Sequence, residues 1–172
     1  MPEHARTDKL FYFSYGSNMS TTRLQNRIAS AVPVTVGWTG EHRLRFHKRG
    51  RDRSGKCDIE FTRQERDRVF GVLFEIAASD KLILDRFEGL GNGYDDKRII
   101  ITTAQDHQVE AVTYFATHID ASLKPFGWYK EHVLRGMREH ALPAYYIAAT
   151  EVIESIADWD RERHQHELAI YL

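Results

Sequence analysis

Leu10-Phe11-Tyr12-Phe13-Ser14-Tyr15-Gly16-Ser17-Asn18-Met19 decides how this chain is read. The run Leu10 to Phe13 is too short for a helix and rich in strand formers, which predicts a buried first strand. Gly16 permits a turn that a Cβ would obstruct, and Ser17, Asn18, Ser20 or Thr21 can cap a helix running to about Ile28. Where a strand turns into a helix start, several backbone N–H groups point outward unpaired beside the positive end of the dipole. Such a cradle favours an anion such as a carboxylate. An ordinary strand–helix connection has the same shape, so the junction alone assigns no function.

Outward from this stretch, composition narrows the class. A chain of 172 residues with 42% hydrophobic and 12% aromatic residues is long and apolar enough for one cored domain, and no linker divides it. We draw the limits as a flexible N-terminus at 1–9, the domain at 10–159 and a C-terminal extension at 160–172. Twenty-four Lys and Arg against 25 Asp and Glu leave a net charge of −1, which speaks against nucleic acid or a membrane surface as partner. The polar start and the single Cys57, which has no internal disulfide partner, suit a reducing cytoplasm.

Strands are expected over Val32–Trp38, Arg43–His47, Cys57–Phe61, Val69–Ile76, Arg98–Thr103 and Val109–Ala116, with Val69–Ile76 apolar on both faces and therefore central. Ser79 offers an N-cap for a short helix ending before Gly89. Two further helices are expected over Trp128–His140 and from Pro143 to about Trp159, the latter with a core stripe of Tyr145, Ala148, Ala149, Val152 and Ile156. The alternating Leu168, Ile170 and Leu172 read as one strand face, docking on the domain or on a second subunit as a homodimer. Clustered strands with helices near both ends give an α+β fold, a curved barrel-like mixed sheet with packed helices. Between Arg43 and Lys56 seven basic residues face one acid, Asp52. This is either a solvated hairpin tip or a lip that attracts an anion.

The second informative stretch is Leu84-Asp85-Arg86-Phe87-Glu88-Gly89-Leu90-Gly91-Asn92-Gly93-Tyr94. Glu88 falls at a helix end, where the negative pole opposes a carboxylate, and a glycine-rich loop follows. Simple exposure would explain it; an apolar wall beside it would instead make it a stronger base. Taken in order, the Tyr15-Gly16-Ser17-Asn18 block, the Leu84-Asp85-x-x-Glu88-Gly89 run with Tyr94, and Phe126-Gly127-Trp128-Tyr129 with Gly136, Glu139, Leu142-Pro143 and Tyr145 resemble the gamma-glutamylcyclotransferase (AIG2-like) family. The resemblance implies that fold and a cofactor-free, metal-free enzyme acting on a small γ-glutamyl molecule. It further implies Glu88 as the catalytic acid/base, with Tyr15, Gly16, Ser17, Asn18, Met19, Tyr94 and Tyr129 around the substrate. The basic loop and the charged tail are not part of the family pattern, so substrate preference is not carried over.

In that chemistry the substrate's own α-amine attacks its γ-carbonyl, yielding 5-oxoproline and a free amine, amino acid or peptide. A five-membered closure already has high effective molarity, so one carboxylate that takes and returns a proton suffices. Alternatives are a non-catalytic relative that only binds an acidic ligand, or an amidohydrolase using water. Competing motifs are weaker. Gly89-x-Gly91-x-Gly93 lacks dinucleotide spacing, His164 and His166 lack a metal frame, Cys57 suits packing, and Ser17 lacks a nucleophile elbow.

Overall fold

The computed structural model describes residues 8–172, so of the flexible terminus expected at 1–9 residues 1–7 lie outside the described residues, while residues 8 and 9 are held, Lys9 pairing with Ala77 and Asp8 O accepting from Ala78 N. Seven strands and five helices follow in order. They are β1 Lys9–Ser14, α1 Thr21–Arg27, β2 Val32–Gly40, β3 His42–Arg49, β4 Gly55–Phe61, β5 Arg68–Ala77, α2 Ala78–Glu88, β6 Tyr94–Thr103, β7 Gln108–Ala116, α3 Gly127–Glu139, α4 Ala144–Glu151 and α5 Arg161–Leu168. Short 3-10 turns occupy Ser17–Met19 and Ala169–Tyr171.

Five strands close a barrel in the order β1-β5-β2-β6-β7, and β3 with β4 forms a separate hairpin. Neighbours in the barrel run antiparallel except at the seam, where β1 meets β7 in parallel with Tyr12 opposite Val112. The α+β barrel read from the sequence is therefore the fold. β5 sits between β1 and β2, and its Val69, Val72, Leu73, Phe74 and Ile76 are all buried, as its two-sided apolar pattern predicts.

Three local readings are corrected. Ser79 caps nothing: α2 begins at Ala78, whose N–H donates to Asp8 O at 2.7 Å. The helix after Pro143 stops at Glu151, because Lys130 Nζ takes the carbonyls of Glu151 (2.5 Å) and Ile153 (2.6 Å) and Ile156 pairs in extended conformation with Pro125 and Gly127. Its expected core stripe faces outward, Tyr145 being 66% and Val152 83% exposed; Tyr146, Ile147 and Thr150 turn inward instead.

The tail is not a strand. Asp160 caps α5 by accepting from Arg163 N at 3.0 Å, and Glu167 then meets Arg23 at 2.8 Å and His132 at 3.1 Å. Tyr171 Oη completes the contact, bonding His132 Nδ1 at 2.7 Å and Ser20 Oγ at 3.0 Å. A cap and three polar anchors outweigh a short alternation that finds no strand to pair with. The segment 160–172 is thus folded onto α1 and α3 of the same chain.

Candidate functional site

β1 delivers the chain into the turn at Tyr15–Ser20. Met19 N bonds Gly16 O at 3.1 Å and Ser20 N bonds Ser17 O at 3.3 Å, so the amides of Gly16, Ser17 and Asn18 precede the turn's own hydrogen bonds. Ser20 then caps α1 through Arg23 N. Two contacts fix the turn. A Cβ on Gly16 would lie 3.0 Å from Cys57 Cβ, so β4 presses directly on the loop. A Cβ on Gly136 would lie 2.5 Å from Met19 Cβ and 2.6 Å from Met19 C, so α3 lies against it from behind.

Glu88 ends α2, and Gly89 behind it adopts the left-handed conformation (φ 68°, ψ 48°) that lets Leu90 N close on Asp85 O at 2.9 Å. The Glu88 side chain is 15% exposed. Its Oε1 accepts from Asn18 Nδ2 at 2.7 Å and from Arg27 Nη1 at 3.3 Å; among the described residues nothing donates to Oε2. Asn18 also reaches Tyr12 Oη at 3.2 Å, while its own Oδ1 is buried without a partner, as is Ser14 Oγ. Buried acceptors are rarely left open in this way, and both residues line a recess.

That recess spans about 300 Å³, part of it open to solvent, and is lined by Tyr12, Ser14, Tyr15, Gly16, Ser17, Asn18, Cys57, Glu88, Tyr94, Tyr114 and Tyr129. Of the residues expected at the substrate, Tyr15, Gly16, Ser17, Asn18, Tyr94, Tyr129 and Glu88 converge here. Met19 does not: it is fully buried beneath the turn against Gly136.

A bulge in the hairpin holds two of these tyrosines. Phe46 and His47 of β3 together oppose Cys57 of β4, which frees the Cys57 backbone from the ladder. Its N–H donates to Tyr129 Oη at 3.0 Å, and its carbonyl accepts from Tyr94 Oη at 2.5 Å. Tyr15 donates to Tyr114 O at 2.6 Å, and Tyr114 donates to Asp85 Oδ1 at 2.6 Å. Burial pushes the phenols of Tyr12, Tyr15, Tyr94, Tyr114 and Tyr129 above the ordinary tyrosine value, so all five remain protonated hydrogen-bonders near neutrality. Burial likewise pushes the Cys57 thiol up to about 12, which removes it as a nucleophile.

The sequence reading missed Tyr12, Ser14 and Tyr114 as walls and Arg27 as the partner of Glu88. Strand alternation from Tyr12 through Ser14 was the available signal for the first two. Nothing local announces Arg27 or Tyr114, because chain crossings bring them in. Beyond the recess, sharing Ser17, Glu88, Tyr94 and Tyr129 with it, lies a wider vestibule of about 690 Å³. Lys48, Arg51 and Lys56 of the basic hairpin line this outer space beside Arg23 and Arg27.

Residues 68–149 match the model of the AIG2-like family. The chain is 28% identical over 152 residues to the gamma-glutamylcyclotransferase of Bos taurus, covering 86% of this chain and 80% of that one. It shares the same identity and coverage with the gamma-glutamylcyclotransferase of Homo sapiens. A solved structure described as gamma-glutamyl cyclotransferase superposes with a TM-score of 0.81 over 91% of this chain and 97% of its own, at 24% identity. The likeness recognised in the sequence is thus found again in family, relatives and fold. No helix among the described residues is long and apolar enough to cross a membrane.

Proposed function

We propose that this chain is a γ-glutamylcyclotransferase, closing the γ-glutamyl group of a small molecule into 5-oxoproline and expelling an amine or amino acid. The observation that carries the reading is Glu88. It is a shielded carboxylate with one oxygen held by Asn18 and Arg27 and the other without a donor among the described residues, on the wall of a tyrosine-lined recess that Gly16, Ser17 and Asn18 also line.

In the proposed reaction, Glu88 Oε2 takes a proton from the substrate's α-ammonium. The freed amine attacks the γ-carbonyl carbon, forming the ring C–N bond. The tetrahedral intermediate then collapses as Glu88 returns the proton to the departing nitrogen and the original C–N bond breaks; the ring nitrogen gives up its second proton to Glu88, which passes it to the released amine or to solvent and is restored as the carboxylate. No water is consumed and no cofactor takes part. The open Asn18 Oδ1 accepts from the ammonium and so turns the amine towards the carbonyl. The amides of Gly16 to Asn18 hold the substrate carboxylate or the developing oxyanion. Asp85 is a positioning residue, fixing Tyr114 as part of the wall.

The test is 5-oxoproline release, followed by mass spectrometry over γ-glutamyl amino acids, amines and peptides. Glu88→Gln keeps the Asn18 contact and the shape but removes the base, so turnover should fall by about two to four orders of magnitude. Turnover near wild type in that variant would move the acid/base role elsewhere. Binding without any release from the wild-type protein would favour the ligand-binding alternative.

A further inference from the structure

The vestibule has a charge pattern that the cyclisation alone does not require. Five cations line it, and three are matched: Arg23 by Glu167 at 2.8 Å, Arg27 by Glu88 at 3.3 Å and Lys56 by Asp52 at 2.7 Å. Lys48 and Arg51 have no carboxylate partner among the described residues.

Lys48 is the more telling of the two. Its residue is 8% exposed, its ammonium rests 4.5 Å from the centroid of the Tyr94 ring, and it stands directly opposite Lys56 across the β3–β4 ladder. Burial, with the charge of Arg51 added, disfavours the Lys48 ammonium; Glu88 and Asp52 oppose this from beyond ion-pair distance but are already held by Arg27 and Lys56, so the cation is buried with no carboxylate of its own. An arrangement of this kind is relieved when an anion is bound.

The two spaces meet at Ser17, Glu88, Tyr94 and Tyr129. On the proposed function, on which this inference rests, the glutamyl group fills the inner recess. Its own carboxylate is one of the candidates for the amides of residues 16–18. The leaving group must then emerge past Glu88 into the vestibule, where two unmatched cations await it.

We infer that the vestibule is a leaving-group subsite selective for an acidic amino acid, with Lys48 and Arg51 as its specificity-determining residues. Lys48, on the rigid strand beside Tyr94, takes the carboxylate nearer the scissile bond. Arg51, on the exposed turn, takes the second one further out. A leaving amine without carboxylates leaves both cations unmatched. An alanine satisfies one, and a glutamate, with its α- and side-chain carboxylates, satisfies both. The hairpin that carries them is the lopsided basic stretch of the sequence, which thereby acquires a role in choosing substrate.

The experiment compares γ-glutamyl-glutamate, γ-glutamyl-alanine and γ-glutamyl-methylamide in the full chain. 5-Oxoproline release gives kcat/KM, and calorimetric titration gives affinity. Expected is a preference in that order, by about tenfold for each carboxylate matched at low salt and shrinking as salt is raised. Lys48→Gln should reduce the glutamate-to-methylamide ratio about tenfold, Arg51→Ala should reduce the glutamate-to-alanine ratio, and Arg49→Ala, exposed and outside the vestibule wall, should leave both ratios alone. Equal kcat/KM for all three substrates, or ratios untouched in both Lys48→Gln and Arg51→Ala, would overturn the inference while leaving the cyclotransferase reading intact. If no substrate releases 5-oxoproline, that reading fails. The affinity order in titration then decides the subsite by itself: the same ranking supports it and equal affinities refute it.

Discussion

Replacing Gly136 by Ala sets two opposed effects against each other, and the contact with the turn at residues 17–20 decides which wins. In an ordinary helix interior Ala is favoured over Gly by about 1 kcal/mol. Here the new methyl would stand 2.5 Å from Met19 Cβ, 2.6 Å from Met19 C and 2.7 Å from Ser20 N, where ordinary contact begins at 3.4 Å. Two of those three atoms are backbone and have no rotamer to escape into. The helix and the turn must therefore separate by about 0.8 Å, and overpacking of this kind costs about 1–3 kcal/mol, with the backbone contacts pushing it to the upper end. The net expectation is a loss of about 2 kcal/mol, or roughly 4–8 °C in Tm for a domain of this size. Because the same shift moves Ser17 and Asn18 relative to Glu88, turnover should fall further than stability suggests, by about ten- to a hundredfold. Urea denaturation followed by fluorescence and 5-oxoproline release under native conditions read the two effects separately. A Gly136→Ala protein that is more stable than wild type, with turnover intact, would refute the claim that α3 holds the turn at residues 17–20 by direct contact.

Two other expectations follow from buried groups. Because burial pushes the Cys57 thiol up to about 12, iodoacetamide at pH 8 should label the native chain about a thousandfold more slowly than free cysteine from thiolate fraction alone, and at the ordinary rate once urea unfolds it; fast native labelling would contradict the buried placement. Glu167 is pushed up by burial, but the hydrogen bond to His132 and the charge of Arg23 outweigh this and hold it at about 2, against 4.5 when unfolded. A value lowered by folding stabilises fully above about 4.5, and that contribution disappears as pH falls towards 2. Wild type should therefore exceed Glu167→Gln in stability at pH 6, by at most about 3 kcal/mol, and in urea titrations the gap should shrink to about 1 kcal/mol near pH 3 and close only below about pH 2. A gap that stays constant between the two pH values would rule out this linkage.

What the sequence made legible is what short-range chemistry encodes. The aromatic run before Gly16, the serine that caps α1, the two-sided apolar pattern of β5 and the glycine behind Glu88 each act within a few residues, and each element formed where those signals stand. Tyr15 to Asn18 and Glu88 were identifiable because each block carries its own pattern. Their meeting was not, since Asn18 and Glu88 are 70 positions apart and only barrel closure brings them within 2.7 Å. The failures are equally physical. Hydrophobic periodicity extended α4 through Val152 and Ile156, but Lys130, reaching across from α3, captures the carbonyls that a longer helix would have needed. The alternation at Leu168 to Leu172 was outweighed by the Asp160 cap and by ionic anchors on α1 and α3, whose partners lie more than 30 residues away. The role of Cys57 was hidden for another reason. What matters is its backbone, released by a bulge, and a bulge leaves no mark in residue type.

The parallel seam between β1 and β7 has a consequence for the order in which the molecule comes into being. Tyr12 and its partner Val112 are 100 residues apart, and the wall that joins Tyr12 to Tyr114 exists only once that seam has closed. During synthesis at about 5–20 residues per second, the first strand leaves the ribosome roughly 5–20 s before β7 is made, and it waits unpaired on that side. Contacts of such long sequence separation also place the chain among slow folders, because loop closure must precede the reward of pairing. The tyrosine-lined recess is therefore among the last parts of this protein to form. Until then the aromatic first strand is an exposed edge open to other chains, which makes early aggregation, rather than loss of a finished site, the expected fate of variants that weaken the seam.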